Sequence, residues 1–314
     1  MSQYRVQILI RSTLGTPLVG DTIFGHVCWG ILRTGGENNL KDFLVRCEEN
    51  PFYFAVSSAF PSNMLPVPIL TPLKEVMASN TSQYGKKKKN KKRKYIPSNT
   101  LLQQKEPLNP ERLNQILETT EETYAFQSLP HLHNTINRIT GTTEEPTGLF
   151  SSNEIALTAK DTTAIKKTFA DIYVVSDESL DAVHDLLYHA FLFGYGADAS
   201  AGKGWIEITD IAEIQFPTSG NRFIALGPFI PTEIERTQIS NFTYELFLRK
   251  GKVGPEFVHI YNPFKKPMLF YREGSTFALS ERKCVVGTVL TGIHTEAFIR
   301  HAAHTPILSF LLEV

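Results

Sequence analysis

Cysteine is scarce in this chain of 314 residues, and the three that occur, Cys28, Cys47 and Cys284, are widely separated. They form no C-x-x-C pair, so the sequence indicates neither a disulfide framework nor a zinc site. No apolar stretch approaches the ~18 residues needed to cross a membrane, and no signal peptide is evident. We therefore expect a soluble, cytoplasmic protein of one large or two medium domains.

A nucleotide-binding motif is also missing, although one glycine-rich stretch invites the comparison. Residues 193–208 read FGYGADASAGKGWIEI. A P-loop needs four residues between its glycines and a hydroxyl after the lysine, and it runs from strand to helix. Here five residues separate Gly196 from Gly202, Gly204 follows Lys203, and the predicted order is helix to strand. Two interpretations stay open: a loop that lets another backbone approach closely, or a long connection in which glycines serve for turning.

The net charge of zero hides a strong segregation. Eight of the nine residues 86–94 (KKKKNKKRK) are basic, and the rest of the chain is therefore acidic by eight charges. A concentrated basic element on an acidic body is typical of a protein that grips a polyanion locally. Nuclear targeting and simple solvation are the alternatives. Because the run is internal, we expect it on a projecting loop or hairpin at about residues 80–100.

Hydrophobic periodicity predicts an α+β fold. A strand at 4–11 is followed by a helix at 21–34, with Asp21 as its N-cap and Gly35-Gly36 as its stop. Residues 51–72 are expected to be extended and irregular, a short helix is expected at 110–120, and 129–157 should form a loop leading into a strand, with a possible hairpin at 141–148. A strand, a helix at 180–191 capped by Ser179 or Asp177, the glycine loop and a last strand complete a βαββαβ order ending near Phe216.

The remaining residues, 217–314, are predicted to be mostly β, with one short helix at either 230–240 or 294–301. This part is long enough for a second domain. The fold class is thus predicted as tandem ferredoxin-like (RRM-like) domains, 1–216 and 217–314, with a glycine-rich loop and a basic hairpin insertion.

Several stretches together resemble one family. They are GTPLVGDTIFGHVCWGI at 15–31, the LPVPIL segment at 65–70, the lysine run closed by YIP, HNTINRITG at 133–141, GLF at 148–150, the glycine loop, and YNPFKKPMLFYREGSTF at 261–277. The sequence is similar to the RAMP superfamily of CRISPR-associated proteins, and within it to Cas-five-like members, closest to the family of fourth subunits of the type III-A (Csm) effector complex.

The resemblance implies a Cas-five-like architecture of ferredoxin-like domains and a role without cofactor. Such proteins cap the 5′ end of a CRISPR RNA (crRNA), hold its repeat-derived handle, and join the large cyclase-polymerase subunit to the backbone RAMP subunit in a heteromeric complex. The glycine loop would be the family's G-loop, and the basic insertion would lie on or near a thumb hairpin.

Candidate RNA-binding residues follow from both arguments. RNA held by its backbone needs cations, close main-chain approach and aromatic or hydrogen-bonding neighbours. Gly20 and Gly25 allow close packing at the start of the predicted helix, where free N–H groups favour phosphate. The candidates are Gly20, Gly25, His26, Lys86, Lys87, Lys88, Lys89, Lys91, Lys92, Arg93, Lys94, His133, Asn134, Arg138, Gly194, Gly196, Ser200, Gly202, Lys203 and Gly204. Asp198 would repel phosphate, so its side chain should point away or bond a base or 2′-hydroxyl.

Nine histidines raise the question of catalysis, because some RAMP relatives cut RNA by histidine acid-base chemistry. The visible pairs are His131 with His133, His184 with His189, and His301 with His304. His184 and His189 are five residues apart and do not share a helix face well, and the pair of His301 and His304 has no third metal ligand nearby in sequence. We expect no catalytic activity and no metal site. The alternatives are a metal-independent endoribonuclease using His131, His133 or His26, and a generic RNA binder acting through its basic loop.

Overall fold

The computed structural model describes residues 1–71, 90, 93–120, 124–143, 148–159, 168–254 and 262–313. These residues form a mixed α+β fold. The elements of residues 1–216 are β1 (Ser2–Ile10), α1 (Gly20–Glu49), β2 (Phe54–Val56), β3 (Phe60–Pro61), β4 (Met64–Pro66), β5 (Tyr95–Pro97), α2 (Asn99–Leu102), α3 (Pro110–Thr119), β6 (Tyr124–Asn134), β7 (Leu149–Ala159), β8 (Thr168–Ser176), α4 (Leu180–Phe191) and β9 (Ile206–Ile214).

The elements of residues 217–313 are mostly strands, as predicted. They are β10 (Arg222–Ala225), α5 (Glu233–Gln238), β11 (Ile239–Thr243), β12 (Leu246–Arg249), β13 (Met268–Tyr271), β14 (Thr276–Leu279), β15 (Val285–Leu290) and β16 (His301–Phe310). The short helix lies in the first of the two predicted positions. In the second, 294–301, there is no helix, and the chain instead enters β16 at His301.

The first sheet has the order β2-β8-β1-β9, with β3 also paired to β8, and its ladders are antiparallel. With α1 and α4 as the two connections, this is the strand order of a βαββαβ unit. Both helices cover one face, where Ile23, Val27 and Leu187 pack with Val6 and Ile172 of the sheet. The predicted order of elements in the first half is therefore present.

The second sheet has the order β11-β14-β10-β16-β15. Its first four strands repeat the topological order of the first sheet, but α5 spans only six residues and β15 occupies the place of a second helix. The described residues also form separate two-stranded sheets, β4-β5, β6-β7 and β12-β13.

Strand β8 explains how the two halves share a core. Its residues are buried on both faces: Ile172 and Val174 contact the helices, while Tyr173 and Val175 pack in a second cluster with Ile224 of β10. A strand buried on both sides reads as a continuous apolar run. The sequence TFADIYVVS has this composition.

Helix α1 is longer than predicted, because it does not stop at Gly35-Gly36. The chain does leave helical geometry at Gly36 (φ 80°, ψ 179°), but the helix resumes and continues to Glu49. The second segment is retained because Phe43 and Cys47 are buried in the core. Asp21 is not the N-cap, a position occupied by Val19 without a side-chain bond. Asp21 lies in the first turn and accepts hydrogen bonds from Arg249 of β12 and His301 of β16.

The prediction for residues 129–134 was also wrong. We expected a loop, but they continue β6, which pairs with β7 over eleven consecutive positions from Tyr124–Ala159 to Asn134–Leu149. The hairpin itself was predicted.

No helix within the described part of the chain is long and apolar enough to cross a membrane. The three cysteines are unpaired.

Candidate nucleic-acid interface

The glycine loop is built from backbone that only glycine adopts easily. Gly194, Gly196, Gly202 and Gly204 have φ between 72° and 91°, in the left-handed region. A Cβ on Gly204 would lie 2.0 Å from Tyr195 O, whereas one on Gly202 would meet nothing within 4 Å. The loop therefore needs glycine at 204 for space and conformation, and at 202 for conformation alone. Ser200 is exposed on the short 3₁₀ turn Ala199–Ala201.

The backbone that approaches this loop belongs to the protein itself. Gly204 N–H donates to Thr13 O at 2.8 Å, and Ala197 N–H donates to Thr16 Oγ1 at 3.0 Å. A Cβ on Gly15 would lie 2.3 Å from Ala197 O. The close approach predicted from the glycines is thus made in part by the connection between β1 and α1, which contains the GTPLVG stretch. The glycines have a structural role here, whatever else binds the loop.

His26 joins α1 to the same loop. Its Nε2 accepts a hydrogen bond from Gly196 N–H at 3.1 Å, and its ring centroid lies 4.5 Å from that of Tyr195. Burial, aided by the nearby Arg33 charge, lowers the pKa of His26 to about 4. The neutral imidazole accepts a hydrogen bond from the backbone and so holds the loop in place, and its accepting nitrogen is already engaged.

Lys203 lies between two carboxylates. Its Nζ is 2.9 Å from Asp198 Oδ2 and 3.1 Å from Glu154 Oε1 of β7. Hydrogen bonds to Asp198 and Glu154 raise the pKa of Lys203. Hydrogen bonds from Thr13, at 2.8 Å, and from Lys203 lower the pKa of Glu154. Asp198 is thus turned to the lysine, and the lysine charge is locally balanced.

The outer half of the β6–β7 hairpin carries the other predicted side chains. His133 stacks on Phe150 (centroids 5.0 Å, 15°) and its Nε2 lies 2.7 Å from Ser152 Oγ. Asn134 Oδ1 accepts from Thr143 Oγ1 at 3.0 Å. Arg138 is exposed in the turn that follows β6. These residues share one hairpin, with Arg138 beyond the end of β6.

The helix start fits the predictions only in part. A Cβ on Gly20 would lie 2.7 Å from Val56 O, so close packing there is real, but Gly25 has nothing within 4 Å and its predicted packing role is wrong. Gly20 N–H donates to Ser58 Oγ at 3.3 Å. The buried Asp21 carboxylate occupies the first turn, where Arg249 balances its charge.

The basic run is attached elsewhere. Lys86, Lys87, Lys88, Lys89, Lys91 and Lys92 lie outside the described residues; Arg93 and Lys94 are described. They precede β5, which pairs with β4, so the run lies on the connection between two paired strands. Arg93 Nη1 donates to Thr120 O after α3, and Lys94 is exposed. These contacts do not reach the glycine loop.

The structure thus joins His26, the glycines and Lys203 to the middle of the hairpin that carries His133 and Asn134. The residues that make this junction, Thr13 and Glu154, were not predicted. They are 141 positions apart, and neither lies in a recognisable motif. No local pattern pairs them, because Glu154 is placed by the register of the hairpin, in which it lies opposite Leu129.

Comparisons with known proteins agree with this architecture. A search of curated proteins finds no significant match. Among solved structures, the chain is similar to one from a Csm1–Csm4 cassette in complex with AMPPNP, with 17% identity, a TM-score of 0.57 and 99% of each chain covered. It is also similar to one from a Csm3–Csm4 subcomplex of the type III-A CRISPR-Cas interference complex, with 13% identity, a TM-score of 0.57, and 97% of this chain and 99% of that chain covered. At these identities the likeness concerns the fold. A sequence model of the RAMP superfamily matches residues 4–207, and the chain therefore belongs to the RAMP superfamily.

Proposed function

We propose that the chain is a non-catalytic RNA-binding scaffold subunit of a type III-A CRISPR effector complex. It would hold the 5′ repeat-derived handle of the crRNA and dock the large cyclase-polymerase subunit and the backbone RAMP subunit. The observation that carries the proposal is similarity over nearly the whole length to chains of the Csm1–Csm4 and Csm3–Csm4 structures. Those structures each contain a subunit of the kind expected as a partner.

In this proposal the two halves form a tandem of ferredoxin-like domains, 1–216 and 217–314, of which the second is reduced in helix. The repeated strand order of the two sheets supports that description. The β6–β7 hairpin is the arm that reaches over the RNA, and the basic run supplies phosphate contacts from the β4–β5 connection.

The handle would lie along the hairpin and the outer side of the glycine loop. Exposed Arg138 supplies a guanidinium for phosphate or a base edge, and the stacked pair of His133 and Phe150 offers a flat surface to a base. Lys203 contributes less than a free lysine would, because Asp198 and Glu154 already balance its charge.

Variants of these residues test the arrangement. Arg138→Ala should weaken binding of handle RNA at least several-fold, while His184→Ala, on the exposed surface of α4, should not. Glu154→Gln should bind RNA at least as well as the wild type, since it removes a competing carboxylate. If Arg138→Ala and His184→Ala bind the handle alike, the hairpin is not the RNA-binding arm.

Assembly is tested by reconstitution. The full chain is mixed with the large subunit, the backbone subunit and crRNA from the same CRISPR locus, and the products are resolved by size exclusion. The proposal expects a stoichiometric complex containing all three proteins. A chain that elutes apart from both proteins in the presence of crRNA would contradict the scaffold role.

A second candidate function has one observation in its favour. His131 and His133 have ring centroids 4.9 Å apart and lie near Glu154 and Lys203. Two histidines that act as general acid and general base, beside a lysine, are the catalytic groups of a metal-independent ribonuclease. Cleavage of repeat RNA that persists in EDTA and disappears in His131→Ala would establish this alternative.

A further inference from the structure

The outer half of the β6–β7 hairpin gathers two histidines and a glutamate on one face. In the ladder, His131 is opposite Ser152 and His133 is opposite Phe150. Residues directly opposite one another, and those two positions along, project from the same face of a sheet. His131, His133, Ser152 and Glu154 therefore share one face, with Glu154 diagonal to His131.

The donor atoms on that face are close enough to bind a common ion. One ligand atom from each of His131, His133 and Glu154 lies within 4.8 Å of the other two. Nitrogen and oxygen ligands of a tetrahedral zinc ion, bound at about 2.0–2.2 Å, lie roughly 3.4 Å apart. Side-chain rotations that move these atoms by about 1 Å would close the set, without any change in strand pairing.

Neighbouring groups already orient two of the three donors. Thr13 Oγ1 donates to Glu154 Oε2 at 2.8 Å, and Ser152 Oγ lies 2.7 Å from His133 Nε2. Hydrogen-bonded partners of this kind usually fix the orientation of metal ligands. His131 is exposed, so the ion would be reached from solvent.

Among the described residues, Lys203 is the cation that competes for Glu154. It lies 3.1 Å from Glu154 Oε1, but it is also bound to Asp198 at 2.9 Å. When a cation takes the Glu154 oxygen, Lys203 keeps a carboxylate partner. Binding therefore exchanges one cation for another at Glu154 without leaving Lys203 unpaired.

We propose that His131, His133 and Glu154 form a binding site for a divalent transition metal ion of the zinc type. Two imidazoles and one carboxylate favour zinc, nickel or copper over magnesium and calcium, which prefer oxygen ligands. The ion would fasten the hairpin at Glu154, beside the glycine loop, and a fourth position would remain open to water. The site does not depend on the RNA-binding role, and its test measures metal alone.

The experiment uses the untagged full chain, stripped with chelator and dialysed. It is titrated with zinc chloride by calorimetry and with cobalt chloride by visible absorption, which reports tetrahedral coordination. The wild type should bind one equivalent. His131→Ala, His133→Ala and Glu154→Gln should each weaken binding by at least about tenfold. Lys203→Met should bind more tightly, because the competing ammonium is gone.

His184→Ala and His189→Ala, both on α4, are the matched controls and should bind as the wild type does. Circular dichroism confirms that each variant is folded. The proposal is overturned if the wild type shows no saturable binding of one equivalent, if the three ligand variants bind like the controls, or if Lys203→Met binds more weakly than the wild type.

Discussion

The Asp21 ion cluster makes the clearest prediction about what joins the two halves of the chain. Arg249 donates to both carboxylate oxygens of Asp21, at 2.7 and 3.0 Å, and His301 Nε2–H donates to Oδ2 at 3.0 Å. The side chains of Asp21 and Arg249 are 1% and 25% exposed. Burial works to raise the pKa of Asp21, but the hydrogen bond from His301 and the charge of Arg249 outweigh it and the pKa is lowered. The ionised carboxylate is therefore the form that the fold stabilises.

Asp21→Asn removes this charge with little change of shape. It leaves the Arg249 guanidinium without its partner, and removing one member of a buried pair costs about 3–5 kcal/mol. Because Arg249 is a quarter exposed, we expect the lower end, about 3 kcal/mol in the free energy of unfolding. The matched control is Glu37→Gln, which breaks the Glu37–Lys41 pair, 74% and 62% exposed, and should cost less than about 0.5 kcal/mol.

Urea unfolding followed by circular dichroism measures both variants, and the double-mutant cycle of Asp21→Asn with Arg249→Met isolates the pair. The cycle should give a coupling energy well above 1 kcal/mol, since the residues are in contact. The reasoning is refuted if Asp21→Asn costs no more than Glu37→Gln, or if the two substitutions are additive.

Three further outcomes are expected. Gly204→Ala should destabilise the fold by at least about 2 kcal/mol, through backbone strain and a clash with Tyr195. Gly25→Ala should be neutral or stabilise the fold by up to about 1 kcal/mol. Equal melting temperatures of the two variants would contradict this. Burial lowers the pKa of His304 from 6.5 to about 4, so the unfolded chain binds the extra proton, and stability should fall by up to about 3 kcal/mol as pH drops from 6.5 to 4. His304→Gln should flatten that dependence, and an unchanged pH profile would refute the assignment. Replacing the basic residues of 86–94 with Ser and Gly should lower the affinity for all RNAs alike and flatten the salt dependence of binding. If the affinity depends on salt as steeply as before, the run does not touch phosphate.

The elements that periodicity predicted well are those whose burial follows a simple pattern. Strand β1 alternates, and Val6, Ile8 and Ile10 face the core as expected. Helix α4 begins after Ser179, whose hydroxyl accepts from Ala182 N–H as an N-cap. In both cases local propensity and the global fold agree.

The errors arose where distant contacts outweigh local signals. Gly35-Gly36 predicted an end to α1, but burial of Phe43 and Cys47 keeps the following segment helical. Residues 129–134 contain Pro130 and polar side chains that argue against a strand, yet the ladder with β7 extends through them.

The sequence predicted the glycines of the site, but it did not predict how the glycine loop contacts the β6–β7 hairpin. Four glycines in one short stretch indicate an unusual backbone conformation, and all four have positive φ. The partners of Lys203 and His26 depend on how β7, α1 and the glycine loop meet, which no local pattern encodes. The charge balance that restrains Lys203 therefore could not be read from the sequence.

One assay tests the central claim most directly. The full chain is titrated with a labelled repeat-derived 5′ handle RNA and with a scrambled RNA at two salt concentrations, and the same samples, with and without EDTA, are run on a denaturing gel. The account predicts a preference for the handle at both salt concentrations and intact RNA in every lane. Equal affinity for the two RNAs, or cleavage at a defined position, would contradict it.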